Sequence, residues 1–405
     1  MKILTVADFF YPEIVGGSAV VAYQLMRELT ERGHDITVLT RQQETQSSIG
    51  EVDGIRIYRY PFPTSQAFYP LAVLKATKMI RGLLTDQRYD LINAHHASSG
   101  LAVAILNGYL GYPPSVFFFH GPWHREAMAK DGLVWTPNGR TCGCIPERNA
   151  SLRLGYFLRR GIDRFILRRC TAVVTLSEYM FREALKIFPF LGHKSYKIPS
   201  GVDIKRFSPA DNKTRIRREL GLPSDRLILL TVRRLSPRMG LENLVRAMAT
   251  VERRQDDVML IIGGKGELQD RLNQLILELG LQRTLLIGYI HDEDLPKYYQ
   301  ASDLFIMPSV TLEGFGLSTL EALACGMPVL GTSTGGTPEI LRGVLPDFIL
   351  PGVEAQDIAD RILQKIPCLK DPALQTRARQ FAEGFSWARM TDSVEALFQE
   401  LVHRR

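Results

Sequence analysis

An alternation of strand and helix that starts at the first residues, breaks once and then starts again is the feature that most limits what this chain can fold into. Lys2–Ala7 is a short apolar run of the kind a buried parallel strand needs. The loop after it, residues 8–17, holds Pro12, Gly16 and Gly17. Ser18 can cap the helix that follows, whose apolar positions include Val20, Val21, Leu25, Met26 and Leu29. Gly33 ends that helix, and 35–40 reads as the next strand. Further strand-like runs fall at 91–94, 115–119 and 172–176, with helical segments between them, so the first half reads as an open, doubly wound sheet.

Residues 199–225 interrupt the pattern with Pro199, Gly201, Pro209, Pro223 and a dense cluster of charges, which marks a connection between domains. The alternation then resumes. Strands are expected at 227–231, 258–262, 285–287, 304–307, 328–331 and 348–350, and helices at 241–253 and 268–279. The expected layout is an α/β chain of two Rossmann-like, doubly wound parallel-sheet domains, 1–205 and 206–385, with a terminal helix in 386–405. Ligands of open parallel sheets bind at the carboxyl ends of the strands. Functional side chains are therefore expected just after strands.

Bulk properties narrow the class. The chain has 405 residues, 45% hydrophobic and 23% charged, which is ordinary globular composition. Its net charge of +7 is uneven: residues 1–210 carry 26 Lys+Arg against 17 Asp+Glu, and the remainder 24 against 26. The basic half suits an anionic partner or is a solvated surface. Five cysteines, Cys142, Cys144, Cys170, Cys325 and Cys368, are odd in number and irregularly spaced, which argues against a disulfide framework. No secretory leader and no membrane-length apolar run are evident, so a cytoplasmic protein is expected.

The strongest local signal is 313–321, Glu-Gly-Phe-Gly-Leu-Ser-Thr-Leu-Glu, just after the run 304–307. Gly314 and Gly316 leave the backbone bare around Phe315, and Ser318 or Thr319 can open a helix. A glycine-bordered helix start offers N–H groups and positive dipole charge to a diphosphate. Glu321, expected in the first helical turn, can accept two hydroxyl hydrogen bonds from a ribose diol. The plainer reading of the same residues is a βα loop with an acidic residue near a helix dipole. Ser177 and Glu178 follow the run 172–176, where Ser177 reads as a helix N-cap.

The segment 313–321, continued by 322–329 and by Gly335-Gly336-Thr337-Pro338-Glu339, resembles the retaining glycosyltransferases of family 4, which have the GT-B fold. The resemblance extends over nearly the whole chain, through Gly16-Gly17, 32–38, His120-Gly121, 200–203, Arg234-Leu235 and the terminal helix. It implies two domains facing a cleft, with the terminal helix crossing back to the first. It implies a donor that is a nucleoside diphosphate sugar of UDP or GDP type. Glu313 would contact donor-sugar hydroxyls, Phe315, Gly316 and Leu317 the sugar and diphosphate, and Glu321 the ribose. Gly16 and Gly17 would approach the donor phosphates and the acceptor, and His120 the donor sugar near the reacting carbon.

One departure stands out. The family pattern is Arg-Leu, three residues, then Lys-Gly, and here 234–240 reads Arg-Leu-Ser-Pro-Arg-Met-Gly. Arg234 keeps the diphosphate role, while Met239 stands where the lysine would. Arg238 or Arg233 can supply the missing charge as a planar donor fork. The resemblance implies no cofactor or metal. The acceptor would be a glycan, lipid-linked or small-molecule hydroxyl, as in polysaccharide biosynthesis; nucleic acid is not an expected partner. A non-catalytic glycan- or partner-binding protein and a nucleotide-sugar epimerase remain the alternatives.

Three weaker signals complete the reading. Cys142-x-Cys144 is spaced too tightly for common zinc sites. Asp292-Glu293-Asp294 reads as helix capping. The arginines at 153–169 alternate with apolar residues in a basic amphipathic helix, which either packs on a core or touches an anionic membrane at its inner face. Residues 123–149 show no period and read as a long excursion.

Overall fold

A computed structural model describes residues 1–12, 16–43, 46–62, 69–107, 112–135, 141–142 and 150–404. The chain forms two compact bodies. One comprises Met1–Arg125, Ala150–Ser200 and Trp387–Arg405; the other comprises Glu126–Asn149 and Gly201–Ser386.

The first body holds β1 (Lys2–Ala7), α1 (Gly17–Glu31), β2 (Asp35–Gln42), β3 (Ile49–Val52), β4 (Ile55–Pro61), α2 (Tyr69–Asp86), β5 (Leu91–His95), α3 (Ala97–Leu106) and β6 (Ser115–Phe118). After α4 (Trp123–Lys130), which continues past Arg125 into the other body, and the two-residue strands β7 (Val134–Trp135) and β8 (Thr141–Cys142), which belong to that other body, the first body resumes with α5 (Ala150–Arg169), β9 (Ala172–Thr175), α6 (Glu178–Ile187) and β10 (Ser195–Lys197). The eight-stranded sheet has the order β10-β9-β6-β5-β1-β2-β4-β3. Only β3 runs antiparallel, against β4. In the central strand Thr5 pairs with Val38 on one side and Asn93 on the other. Side chains of β1 alternate between faces as a strand demands. Leu4 and Val6 join the core built from α2, α3 and α5, while the Thr5 hydroxyl donates to Met26 Sδ of α1 at 2.7 Å. Right-handed crossovers put α1 on one face and α2, α3 and α5 on the other.

The second body holds α7 (Lys213–Glu219), β11 (Leu227–Val232), α8 (Leu241–Arg254), β12 (Val258–Gly263), α9 (Gln269–Glu278), β13 (Thr284–Gly288), α10 (Leu295–Ala301), β14 (Leu304–Met307), α11 (Leu317–Ala324), β15 (Val329–Gly331), α12 (Thr337–Val344), α13 (Ala355–Lys365) and α14 (Pro372–Glu383). Its five strands are all parallel, in the order β13-β12-β11-β14-β15. Such a sheet is covered on both faces, and β12 and β14 are buried end to end. Gly201 onward joins this body because Val202 N–H donates to Phe385 O at 2.8 Å.

The last helix, α15 (Trp387–His403), belongs to the first body and packs on α1. Its buried stripe of Met390, Val394, Leu397, Phe398 and Leu401 follows the helical repeat. Arg32 donates to Asp392 at 2.7 Å and to Glu395 at 2.8 Å, and His34 Nε2 lies 2.9 Å from Glu395.

Several local expectations are corrected. The strand expected at 348–350 is a 3-10 turn, Pro346–Phe348, with a single bridge from Ile349 to Gly331. Pro346 has no N–H to give a ladder. Residues 123–149 contain α4 and the short β7–β8 ribbon. The β3–β4 hairpin was not read from sequence, although Asp53-Gly54, both at positive φ (50° and 75°), is a standard two-residue hairpin turn. Asp294 starts α10 without a side-chain cap and pairs with Lys297 instead. Ser18 does not cap α1; the N-cap is Gly16. Cys144 and the side chain of Cys142 lie outside the described residues.

The Arg32 guanidinium, donating to Glu395, holds that carboxyl below its usual range. A depressed carboxyl stabilises the fold above its ordinary pKa and stops doing so as pH falls through the folded value. Glu395→Gln should therefore be less stable than the parent at neutral pH, with the gap closing on acidification. Urea melts of both proteins at neutral pH and about pH 3 check this.

Candidate active site

In the second body the site grows from the carboxyl ends of β11 and β14. Leaving β11, the chain gives Arg233, whose side chain is 5% exposed. Its guanidinium donates to Glu313 Oε2 at 2.7 Å, and sulfur surrounds the rest: Met239 Sδ at 2.8 Å and Met307 Sδ at 3.1 Å. Burial lowers the Arg233 pKa while Glu313 opposes that shift. A guanidinium stays protonated under any such pressure, so the pair is ionic. Glu313 also accepts from Ser309 Oγ at 3.1 Å.

The loop carrying Glu313 is held in a costly shape. Leu312 has φ 53°, in the left-handed region that branched side chains avoid. Arg238 stabilises it by donating to Leu312 O at 2.8 Å, and Val310 N–H donates to Arg238 O at 2.9 Å. On the other side, Gly336 N–H donates to Glu313 O at 2.9 Å. A Cβ on Gly335, itself at φ 80°, would stand 2.5 Å from Glu313 Cβ, so only glycine lets the two loops touch.

Gly316, at φ 95°, is the N-cap of α11, and no side chain caps the helix. Leu317 rather than Ser318 or Thr319 is its first residue. Thr319 N–H donates to Gly316 O at 3.0 Å, so among the first-turn donors the N–H groups of Leu317 and Ser318 are the ones a bound anion would meet. Phe315 is buried and packs near Phe385. Glu321 lies one turn into the helix, not in its first turn. Burial pushes its carboxyl up, and the Tyr299 hydroxyl donates to Oε2 at 2.8 Å. Tyr299 is itself fixed by the rings of Phe207 and Phe305. Arg234 is turned away from this cluster: its side chain is 59% exposed, with Glu267 at 3.9 Å.

In the first body, the ends of β1, β5 and β6 bring together Asp8, His96 and His120. Asp8 accepts from Arg41 at 2.7 Å, from Ser98 Oγ, and from Ser99 Oγ at 2.6 Å. The Asp8 N–H donates to His96 Nδ1 at 3.2 Å, so neutral His96 carries its proton on Nε2, 2.9 Å from Ser18 Oγ. Asn93 donates to His95 Nε2 at 3.0 Å, and His95 Nδ1 lies 3.2 Å from His120 Nε2. With the Asn93 amide oriented nitrogen-first, His95 donates to His120, and His120 carries its proton on Nδ1. Burial, together with His96, pushes the His120 pKa down to about 3. His120 is thus a neutral donor. Gly16 and Gly17 are exposed at the start of α1. Ser177 caps α6, accepting from Met180 N–H at 3.0 Å.

Sequence reading missed Asp8, His95, His96, Ser309 and Tyr299. The pair His95-His96, ending a strand-like run, was the one available signal; Tyr299 had none.

Two parallel α/β bodies are the layout of the GT-B fold, and solved structures share it. A sucrose-phosphate synthase from Thermosynechococcus elongatus superposes with a TM-score of 0.81 at 21% identity, covering 100% of both chains. Anabaena HepE, crystallised with UDP and glucose, gives 0.75 at 20% identity, covering 99% of this chain and 100% of that one. Residues 15–206 match the family described as Glycosyltransferase Family 4, and residues 212–384 that described as Glycosyl transferases group 1. A D-inositol 3-phosphate glycosyltransferase of Geodermatophilus obscurus is 34% identical over 409 residues, covering 95% of this chain and 84% of that protein. Mannosylfructose-phosphate synthase of Agrobacterium fabrum is 28% identical over 349 residues, covering 79% and 72%. The chain belongs to the family 4 glycosyltransferases.

Two outcomes follow from this geometry. A histidine with a depressed folded pKa costs stability as pH falls from its ordinary 6.5 toward the folded value near 3. His120→Gln should flatten the slope of stability against pH in that window, as read by urea melts across it. Gly335→Ala should destabilise by about 1–3 kcal/mol through overpacking against Glu313, visible as a lower melting temperature.

Proposed function

We propose that the protein moves a sugar, with retention at the anomeric carbon, from a nucleoside diphosphate sugar to a hydroxyl acceptor. The observation that carries this reading is the fixed sequence of Glu313, the uncapped start of α11 at Gly316, and Glu321 one turn on. Glu313 receives donor-sugar hydroxyls. Backbone N–H groups of Phe315, Gly316 and Leu317 receive sugar and diphosphate oxygens. Tyr299 engages only Oε2 of Glu321 among the described residues, leaving Oε1 for a ribose hydroxyl. UDP and glucose in the HepE structure are consistent with a UDP- or GDP-sugar donor.

Charge on the leaving diphosphate needs neutralising. Arg234 is free to swing, and Arg233 fills the space beside Met239 with a buried positive charge. Arg238 is committed to the Leu312 carbonyl. By position Arg233, whose guanidinium meets Met239 Sδ at 2.8 Å, is the better replacement for the lysine that the family pattern has at 239, with Glu313 as its partner before donor binds. No side chain is assigned as a nucleophile. Catalysis rests on positioning and on electrostatic stabilisation of the departing phosphate, which takes the acceptor proton. The first body offers a neutral hydrogen-bond donor at His120 and an exposed glycine turn at Gly16-Gly17. No metal or cofactor enters this scheme. The acceptor is a glycan, lipid-linked or small-molecule hydroxyl.

Binding to a panel of UDP-, GDP- and ADP-sugars tests the donor assignment; no binding at millimolar concentration removes it. Glu321→Ala should weaken nucleotide affinity about 10- to 100-fold, the worth of one charge-assisted hydrogen bond. Turnover should fall further in Arg233→Ala than in Arg238→Ala. The reverse order would transfer the charge role to Arg238. Measured transfer to an added acceptor excludes the non-catalytic alternative, and conversion of donor without acceptor would mark an epimerase.

A further inference from the structure

The outer surface of the α2–α3–α5 layer has the composition of neither a solvated face nor a core. On α5, Leu154, Phe157, Leu158 and Phe165 are exposed, Phe157 to 73%. On α2, Leu71 and Leu74 are exposed, Leu74 to 61%. Helix α3 packs between these two, carries no charged residue and exposes Ile105. Large apolar side chains on three neighbouring helices thus face outward together. A monomeric protein rarely leaves such a patch uncovered without a use for it.

The charges around the patch have one sign. Lys75, Lys78 and Arg81 on α2 and Arg153, Arg160, Arg164, Arg168 and Arg169 on α5 are all exposed. Against these eight, the same two helices expose one acid, Asp86. The single acid of α5, Asp163, is buried against His124. No ion pair to any of the eight is found among the described residues. This accounts for much of the basic excess of the first half of the chain.

We propose that this face docks onto the surface of an anionic lipid bilayer, with the leucines and phenylalanines entering the interface and the arginines and lysines meeting the headgroups. A wide apolar stripe with basic flanks, lying flat, is the arrangement interfacial helices use. The apolar area and the positive charge act together only at such a boundary. A second copy of this chain does not fit, because pairing the face with itself would set eight cations against eight. A nucleic acid would meet the cations but would leave the leucine and isoleucine side chains without a partner. No helix among the described residues is long and apolar enough to cross a membrane, so the contact is peripheral. The inference stands on this surface alone and does not depend on the donor assignment.

Co-sedimentation with vesicles tests it, using the full chain, phosphatidylglycerol–phosphatidylcholine vesicles and pure phosphatidylcholine vesicles. Binding is expected to the anionic vesicles only, weakening as salt rises from about 0.05 to 0.5 M because exposed charges are screened. The double variant Phe157→Ser, Leu158→Ser should bind about tenfold more weakly, as should Arg160→Glu with Arg164→Glu. All these positions are exposed, so an unchanged melting temperature is the control for folding. Absence of binding to anionic vesicles overturns the proposal. So does equal binding by the variants. Dimerisation abolished by Phe157→Ser, or capture of single-stranded DNA in preference to vesicles, would reassign the face and overturn it equally.

Discussion

The buried ion pair between Arg233 and Glu313 is the contact on which the second body's site depends. Neither ion could be buried alone, since desolvation of one unpaired charge costs several kcal/mol. Arg233 leaves the end of β11 and Glu313 the loop after β14, so the pair ties together two neighbouring parallel strands where their carboxyl ends open. Met239 and Met307 line the guanidinium with polarisable sulfur instead of water. The strained Leu312 backbone, the Arg238 contact to its carbonyl and the close Gly335–Gly336 loop all serve to hold Glu313 at that point. Strain of this kind persists only where surrounding contacts over-determine it.

The first body solves a different problem, which is to hold a histidine neutral and correctly protonated. Asn93, His95 and His120 form a chain in which each ring fixes the proton position of the next. Asp8 supplies a carboxylate at the strand ends. Arg41 and the hydroxyls of Ser98 and Ser99 saturate it, and its backbone orients His96. Burial does the rest by penalising the imidazolium form. Both bodies thus place their chemistry, including a buried ion pair, where parallel strands end, and the first adds a set of desolvated histidines.

Legibility in the sequence varied with the range of the interaction. Strand β1 with its turn, β11, β12 and β14 were readable because each is a short, mainly apolar run bounded by charged, glycine or proline residues. The 313–321 segment was readable because glycines flanking a helix start leave a local trace. Helix α15 was readable from its repeat. The strand expected at 348–350 failed because an apolar run after a proline does not reveal whether a ladder partner is present. Glu321 was placed half a turn early because Gly316, not a hydroxyl residue, starts the helix.

The sequence by itself determined the two-part parallel α/β architecture, the family and the acidic-glycine segment, since periodicity and short-range order depend on local residues. Tertiary structure alone decided that the Arg233 guanidinium meets the Met239 sulfur while that of Arg238 turns to Leu312 O, that Tyr299 holds Glu321, and that a histidine chain sets the protonation of His120. It also decided that α2, α3 and α5 expose their apolar residues side by side. Polar contacts among these join residues 6, 22 and 25 positions apart, and only the packing of the sheets brings such residues together.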